Sequence, residues 1–540
     1  MDDGKEPSQL ECACREIIKE LIENPTYPKD RITQLKNRIL RKYSITHTMK
    51  NSIIMEFASE YELEIILPIL RRRATRTISG VTVVAVMTEP LECPGKCLFC
   101  PGSDSQPGEK AAKSYTGQEP AAKRSIIYGY DPYLQTRHRI LDLQAIGHKT
   151  DKVEIILMGG TFLSAPDIYQ KFFVKNCYDA ITFFHNPETD PIHSDSLESA
   201  IAHAESSQIR VVGLTIETRP DYCLPPHIDK ILSYGGTRVE IGIQTTREAI
   251  LSKLNRGHTI KDSINAIHYS KDAGLKINAH MMPNLPGTNP EEDFEDFMEL
   301  FCNPDFRPDM LKIYPTLVVK GTKLYEMWKR GEYDSYSLDT TVDLIARMKS
   351  QVPKYVRIQR IQRDIPAYLI EDGVKKSNLR QLVHNRLKER NEICNCIRCR
   401  EQGFVKDSHL DVDKFKLERM DYEASGGLEI FLSYEFENTI LGYLRLRKLS
   451  ELVHRPELQD KTMVVREIRV VGELVPHTDK PQISQVQHRG YGQKLLESAE
   501  KIAREEFGMN KLSIISGIGV REYFYKLGYQ LDGVYVSKNL

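Results

Sequence analysis

Six short runs of β-branched and aliphatic residues, separated by amphipathic stretches, restrict the fold of this chain more than any other feature. They are VTVVAVM (81–87), VEIILM (153–158), RVVGLTI (210–216), RVEIGIQ (238–244), LKINAHMM (275–282) and MLKIYPT (310–316). Helical segments such as TIKDSINAIHYSKDAG (259–274) lie between them. That alternation predicts parallel βα units. The expected fold class is α/β, with a partial (βα)6 TIM-like barrel over residues 76–365. In such barrels chemistry gathers at the C-terminal ends of the strands. The cysteine-rich stretch LECPGKCLFCPG (91–102) follows the first run directly, which sets its thiols at that end.

At 540 residues the chain exceeds what one core serves, and its flanks differ in character. Residues 1–75 read as helices and carry seven Lys or Arg against one acid between Lys29 and Lys50, with RRRATR (71–76) adding a second basic cluster. A connector, 366–415, holds ICNCIRCRE and charged helices. Residues 416–540 form a separate α/β domain, with GLEIFLSYE, TILGYLRLRKL and MVVREIRVVGELV as antiparallel strands before a glycine-containing turn and a helix. The 75 basic and 75 acidic side chains cancel, which excludes bulk positive charge as a route to nucleic acid and leaves local patches. Eleven cysteines, an odd number with clusters at CxxxCxxC and CxCxxC spacings, and no basic-then-apolar leader fit a reducing, cytoplasmic setting, and no apolar run nears the roughly 18 residues of a membrane span.

Three thiols, Cys93, Cys97 and Cys100, with no fourth nearby, suit a zinc knuckle completed from afar, thiol redox work, or three corners of a 4Fe-4S cluster. Only the last gives the missing ligand a purpose. An iron without a protein ligand is free to chelate S-adenosylmethionine (SAM), as in radical SAM enzymes, where one-electron cleavage releases a hydrogen-abstracting 5′-deoxyadenosyl radical. Other strand ends agree. MGGTF ends the second run, where Gly159 and Gly160 allow close backbone approach to a ligand or make a plain tight turn; the pair resembles the glycine motif that receives the SAM amino group, with Thr161 where many such enzymes carry an acid. Glu217, Arg219, Glu240 and Gln244 complete a polar mouth.

A second signature lies in QVQHRGYGQKLL (485–496), where Gln487, Gly490 and Gly492 form a Q-x-x-G-x-G turn into a helix, suited to a pyrophosphate. It follows the strand REIRVVGELV and precedes GVREYFYKLGY, with Tyr523 and Phe524. That order resembles an acyl-CoA N-acetyltransferase domain of the GNAT type. A radical SAM barrel, a cysteine connector and a GNAT-type domain in succession resemble the Elongator catalytic subunit family, tRNA wobble-uridine acetyltransferases, in a stand-alone archaeal-like form. The likeness runs through CPGKCLFCPG, SYTGQEPAAKR, YDPYLQTRHRI, DKVEIILMGGTF, GLTIETRPD, LKIYPTLVVKGTKLYE and SGIGVREYFYKLGY, and covers about residues 75–540.

The resemblance implies that the deoxyadenosyl radical takes a hydrogen from the acetyl-CoA methyl group, that the carbon radical adds to C5 of the wobble uridine, and that hydrolysis leaves 5-carboxymethyluridine. It implies a cluster on Cys93, Cys97 and Cys100, and acetyl-CoA contacts from Lys152 in the barrel. In the C-terminal domain the implied contacts are Glu467, Ile468, Arg469 and Val470, the turn residues Gly490, Tyr491, Gly492 and Gln493, and Tyr523 and Phe524. Lys152 and Tyr523 are the expected catalytic pair; Phe524 stands where the family commonly has a second tyrosine. Cys394, Cys396 and Cys399 suit a structural zinc with His384 as candidate fourth ligand, a second iron-sulfur cluster being the alternative. An anticodon stem-loop would meet Lys36, Arg38, Arg41, Lys42, Arg71, Arg72 and Arg73, aided by Lys354, Arg357, Arg360 and Arg363, with affinity that falls as salt rises. Further expected partners are an electron donor and either a second copy of the chain or accessory Elongator-like subunits. The rival activity is a protein lysine acetyltransferase with a regulatory iron-sulfur barrel.

Overall fold

The structure is a computed structural model, and it describes residues 8–46, 49–70, 80–101, 111–401, 414–471 and 490–540. Helices α1 (Gln9–Glu23), α2 (Ile32–Lys42), α3 (Asn51–Glu56) and α4 (Glu60–Leu70) pack around their own core of Ile17, Ile18, Leu21, Leu35 and Ile39. The spacing of those residues follows the three-and-four rhythm that buries one helical stripe.

The barrel sheet is parallel throughout, in the order β1 (Thr82–Met87), β2 (Lys152–Met158), β3 (Arg210–Thr218), β4 (Arg238–Gln244), β5 (Lys276–Met281), β6 (Met310–Ile313) and β7 (Arg357–Arg360). Six strands fall where the β-branched runs predict. The seventh is a finding: KYVRIQRIQRD, expected to aid phosphate contacts, supplies a strand whose basic side chains have protein partners. Arg357 is buried against Glu401, Arg360 pairs with Asp364, Arg363 donates to the Ser114 carbonyl, and Lys354 reaches Glu435 at 3.5 Å. Crossover helices begin at explicit caps, as where the Thr259 hydroxyl and the Asp262 carboxylate close a capping box on Ile260–Asp272.

The C-terminal domain is a mixed seven-stranded sheet of the expected α/β type. It runs β8 (Lys416–Ala424), β9 (Gly427–Phe436), β10 (Thr439–Lys448), β11 (Thr462–Val470), β12 (Lys511–Ile514), β14 (Tyr535–Asn539), β13 (Gln530–Asp532). Only β11 and β12 pair in parallel; the other neighbours are antiparallel. One face covers the helix Tyr491–Lys501 through Leu495, Leu496 and Ala499.

The other face docks on the barrel at the N-terminal ends of its strands. Tyr535 Oη donates to the Ala273 carbonyl just before β5 (2.9 Å), and Arg445 Nη2 to that of Tyr355 just before β7 (2.7 Å). A Cβ on Gly517 would meet the Val212 carbonyl oxygen of β3 at 2.3 Å, so only glycine allows this approach. Between the sheets lies a fully buried charge network. Arg466 holds Asp309 (2.9 and 2.5 Å) and Glu429 (2.9 Å), Arg447 holds Asp272 (2.7 Å) and Glu429 (3.0 Å), Arg445 holds Glu467 (2.9 Å), and Lys271 lies 3.6 Å from Asp309. Four cations face four anions, so the network is neutral as buried charge requires. No described helix is long and apolar enough to cross a membrane.

Candidate active site

The loop after β1 turns its three thiols onto one cavity at the C-terminal ends of the strands, together with Gly160, Thr161, Glu217, Glu240 and Lys312. Each sulfur touches a different wall. Cys93 Sγ is 3.9 Å from Thr161 Oγ1, Cys97 Sγ accepts from Arg256 Nη1 at 3.3 Å, and Cys100 Sγ is 3.5 Å from Ser114 Oγ. Burial pushes the Cys100 thiol up, with the Ser114 contact pulling the other way. Three half-buried sulfurs on one cavity, beside guanidinium groups that offset thiolate charge, fit three corners of an iron-sulfur cluster.

The glycine pair closes this wall. Gly159 has φ +142° and a Cβ there would lie 2.0 Å from Thr88 Oγ1; Gly160 has φ +86° and its Cβ would lie 3.2 Å from the Lys113 carbonyl oxygen. Gly159→Ala is therefore expected to cost about 1–3 kcal/mol in backbone strain alone, with further loss from the clash. Thermal unfolding and iron content of the reconstituted variant measure both.

Across the cavity, Glu240 organises a charged group that the sequence reading caught only in part. Asn278 Nδ2 donates to its Oε1 (3.0 Å), His280 Nε2 sits 3.2 Å from its Oε2, and the Lys312 ammonium pairs with the same oxygen. Burial works to raise the Glu240 carboxyl, but Lys312 and then His280 outweigh it and hold it well below the usual carboxylate range. Burial, reinforced by Lys312, lowers His280, which keeps the imidazole neutral. Tyr115 Oη donates to Glu217 at 2.8 Å. Glu217, Glu240 and His280 have metal-ligand spacing, but the Lys312 ammonium already supplies the cation on Glu240. His280 and Lys312 lie in runs read only as strands; their place at strand ends is the signal that marks them.

The polar character continues down the barrel. Asn278 of β5 bonds Gln359 of β7 (3.1 Å), and Arg238 of β4 pairs with Glu154 of β2, each contact skipping a strand and so crossing the concave side. Such interiors are more often filled by Val, Ile and Leu.

Lys152 stands apart from the thiols, because it opens β2 and Gly159 follows the other end of that strand. In register it pairs with Arg210, whose Nη2 is 3.0 Å from Glu522, the residue before Tyr523. Lys152 thus borders the C-terminal domain, and burial lowers its ammonium from the usual lysine range. There Gly490, at φ +78°, caps the helix Tyr491–Lys501, while Gln487 lies outside the described residues. A Cβ on Gly492 would sit 3.5 Å from Tyr523 Oη and 3.8 Å from Val470 Cγ2, so these three line one cleft. Tyr523 is 41% exposed and its hydroxyl is pushed up by burial and then by Glu497.

Other expected acetyl-CoA contacts are differently employed. Phe524 is 2% exposed between the rings of Tyr523 and Tyr529, a core side chain with no face left for a ligand. The Glu467 carboxylate is taken by Arg445 and by Tyr443 Oη (3.0 Å), which leaves its backbone alone for a ligand. Ile468, Arg469 and Val470 are half-buried at the end of β11. Tyr491 is buried edge-on to Tyr434, and Gln493 is exposed and bonds Glu497 at 2.9 Å.

In the connector, the sulfurs of Cys394, Cys396 and Cys399 lie within 4.8 Å of one another, and His384 Nε2 is 3.8 Å from Cys399 Sγ. That donor set fits a structural zinc. Ile397 N donates to the Val356 carbonyl (2.9 Å), which ties this knot to the start of β7. Of the basic helix residues, Arg38, Arg41 and Lys42 are exposed, Arg38 beside Glu20 and Lys42 beside Glu16. Lys36 is buried and donates to the Met49 carbonyl (2.5 Å) and Asn51 Oδ1 (2.9 Å), so its ammonium serves the helical core rather than a phosphate. Arg71, Arg72 and Arg73 lie outside the described residues.

Comparison with known proteins agrees with this layout. Residues 10–78 match the ELP3 N-terminal domain, 91–301 the Radical SAM superfamily and 308–389 the Radical_SAM C-terminal domain. A protein of Methanocaldococcus jannaschii named tRNA uridine(34) acetyltransferase is 49% identical over 98% of each chain. The Elongator complex protein 3 of Homo sapiens is 43% identical over 97% of this chain and 96% of its own. The solved archaeal Methanocaldococcus infernus Elp3 with an N-terminal deletion aligns with a TM-score of 0.75 and 46% identity, over 86% of this chain and 100% of that one. With three thiols on a barrel-mouth cavity and this likeness over nearly its whole length, the chain belongs to the Elongator complex protein 3 family of radical SAM enzymes.

Proposed function

We propose that this chain modifies tRNA at the wobble uridine, joining a two-carbon unit from acetyl-CoA to C5 and yielding 5-carboxymethyluridine. What carries the reading is the convergence of Cys93, Cys97, Cys100, Gly160, Glu240, His280 and Lys312 on one cavity, in a chain whose archaeal relative is named for uridine 34. The radical SAM family implies a 4Fe-4S cluster and SAM; bound at the three thiols, they supply a hydrogen-abstracting deoxyadenosyl radical. Cys93, Cys97 and Cys100 hold the cluster, and Gly159 and Gly160 let SAM lie close to the backbone. Arg363 brings positive charge to the cavity, where a nucleotide phosphate or thioester oxygen is stabilised.

Lys152, Gly490, Gly492, Val470 and Tyr523 serve the acetyl-CoA cleft, with the Tyr523 hydroxyl protonated and able to donate to a thioester carbonyl. Arg38, Arg41 and Lys42 offer an exposed basic face to an anticodon stem. Cys394, Cys396 and Cys399, with His384, hold a structural zinc. An external electron donor is required, and assembly with accessory subunits belongs to the same reading, since animal relatives are named as members of a complex.

The test is to incubate anaerobically reconstituted protein with tRNA, SAM, acetyl-CoA and dithionite, and to measure 5′-deoxyadenosine and modified uridine by mass spectrometry. Both are expected, in step with each other. Deoxyadenosine without modified uridine would overturn the substrate; acetyl-lysine formed without SAM or reductant would favour the protein acetyltransferase instead.

A further inference from the structure

Arg256 is buried in the wall behind the thiols, and among the described residues no carboxylate pairs with it. Its Nη2 donates to the Gly242 carbonyl at 2.9 Å and its Nη1 to Cys97 Sγ at 3.3 Å; its buried Nε has no hydrogen-bond partner. Its neighbour Arg219 is different, because Asp221 neutralises it through Nε (3.0 Å) and Nη2 (2.8 Å). Even so, Arg219 Nη1 is buried and unpartnered beside Gly95, where a Cβ would lie 2.5 Å away. The same corner holds His258 neutral, its imidazole lowered to about 3 by burial, then Arg256 and Arg219. A buried guanidinium with no anion is strongly unfavourable. The cavity it faces has to provide the missing negative charge.

We propose that Arg256 is the counter-charge of the 4Fe-4S cluster on Cys93, Cys97 and Cys100, and that its N–H···S contact to Cys97 raises the cluster's reduction potential. Reduction adds an electron, so a fixed positive charge on a ligand sulfur stabilises the reduced state more than the oxidised one. Hydrogen bonds to sulfur and local charge are established controls on such potentials. Arg256 is a tuning residue in this role, since it contacts a cluster ligand and not the reacting atoms. The inference rests on the cluster assignment and is independent of the tRNA substrate.

The experiment is an EPR-monitored redox titration of full-length reconstituted protein with iron counted, comparing wild type, Arg256→Gln and Arg256→Lys. Arg256→Gln keeps an N–H but loses the charge. It is expected to lower the reduced-to-oxidised ratio at fixed potential about tenfold, which is about 59 mV more negative for a one-electron couple. Arg256→Lys, which keeps the charge, is expected to stay closer to wild type. An unmoved or more positive potential in iron-replete Arg256→Gln would overturn the proposal.

If Arg256→Gln binds no iron, metal-free protein decides. There Arg256→Met is expected to melt higher than wild type, because an uncompensated charge is gone, and an equal or lower melting temperature overturns the proposal. Wild type that takes up no iron would refute the cluster assignment itself, a separate outcome.

Discussion

Replacing Asp309 with alanine is expected to destabilise the folded chain by about 3–5 kcal/mol, the usual cost of removing one partner from a buried ion pair. Asp309 is fully buried at the join of the two sheets. It receives both terminal nitrogens of Arg466, stands 3.6 Å from Lys271 and 3.7 Å from Arg445, and accepts the backbone N–H of Ile277 at 2.8 Å. Without it, three cations share too little negative charge, and the barrel loses one of its buried ionic contacts to the C-terminal domain. Urea melts at neutral pH should show the drop, with the C-terminal domain unfolding first.

The same network sets an acid limit. Burial works to raise the carboxyls of Asp309, Glu429 and Glu467, but Arg466 and Lys271 outweigh it at the first two, Arg445 and Lys276 outweigh it at Glu467, and all three lie below the usual range. A carboxyl whose folded value is depressed stabilises fully above its unfolded value, about 4. That stability is lost as pH falls through the folded values. Wild type should therefore lose stability steeply below about pH 4, and Asp309→Ala should show a shallower slope.

Cys97→Ala should abolish 5′-deoxyadenosine formation, reducing it to background, while the folded chain persists. With Cys97 gone only two thiols line the cavity, too few to hold the cluster, and Arg256 loses its sulfur contact. Iron and sulfide analysis should show a depleted site, and circular dichroism should be unchanged. Cys302→Ala is the control, because that thiol is exposed and does not line the cavity. Normal iron in Cys97→Ala would refute the assignment.

Where one side chain or one run suffices, the structure agrees closely with the sequence. Runs 81–87, 153–158 and 238–244 emerge as strands 82–87, 152–158 and 238–244, because β-branched residues packed on both faces admit little else. The missed features are those that exist only between distant segments. Strand β7 has four residues and an arginine every third position, a pattern that mimics a solvated face until Glu401 is found against Arg357. LRLR in β10 alternates apolar with charged residues, which reads as a core face and a water face; its charged face, with Arg466 of β11, meets the barrel's own ions instead. His280, Lys312 and Arg256 are unremarkable one by one and meaningful only where adjacent strands bring them to one cavity. Phe524 carries a family motif position, but packing assigns it to the core.

The C-terminal domain docks at one end of the barrel strands and the thiols gather at the other. From Lys152 to Met158 the chain rises by about 20 Å, so on the proposed function an acyl group held at one rim and a radical made at the other begin roughly a strand's length apart. A compact co-substrate seated at either rim cannot touch both chemistries. The proposed turnover therefore demands cargo in transit, either an extended thioester arm that spans the strands or a detached fragment that travels between the rims.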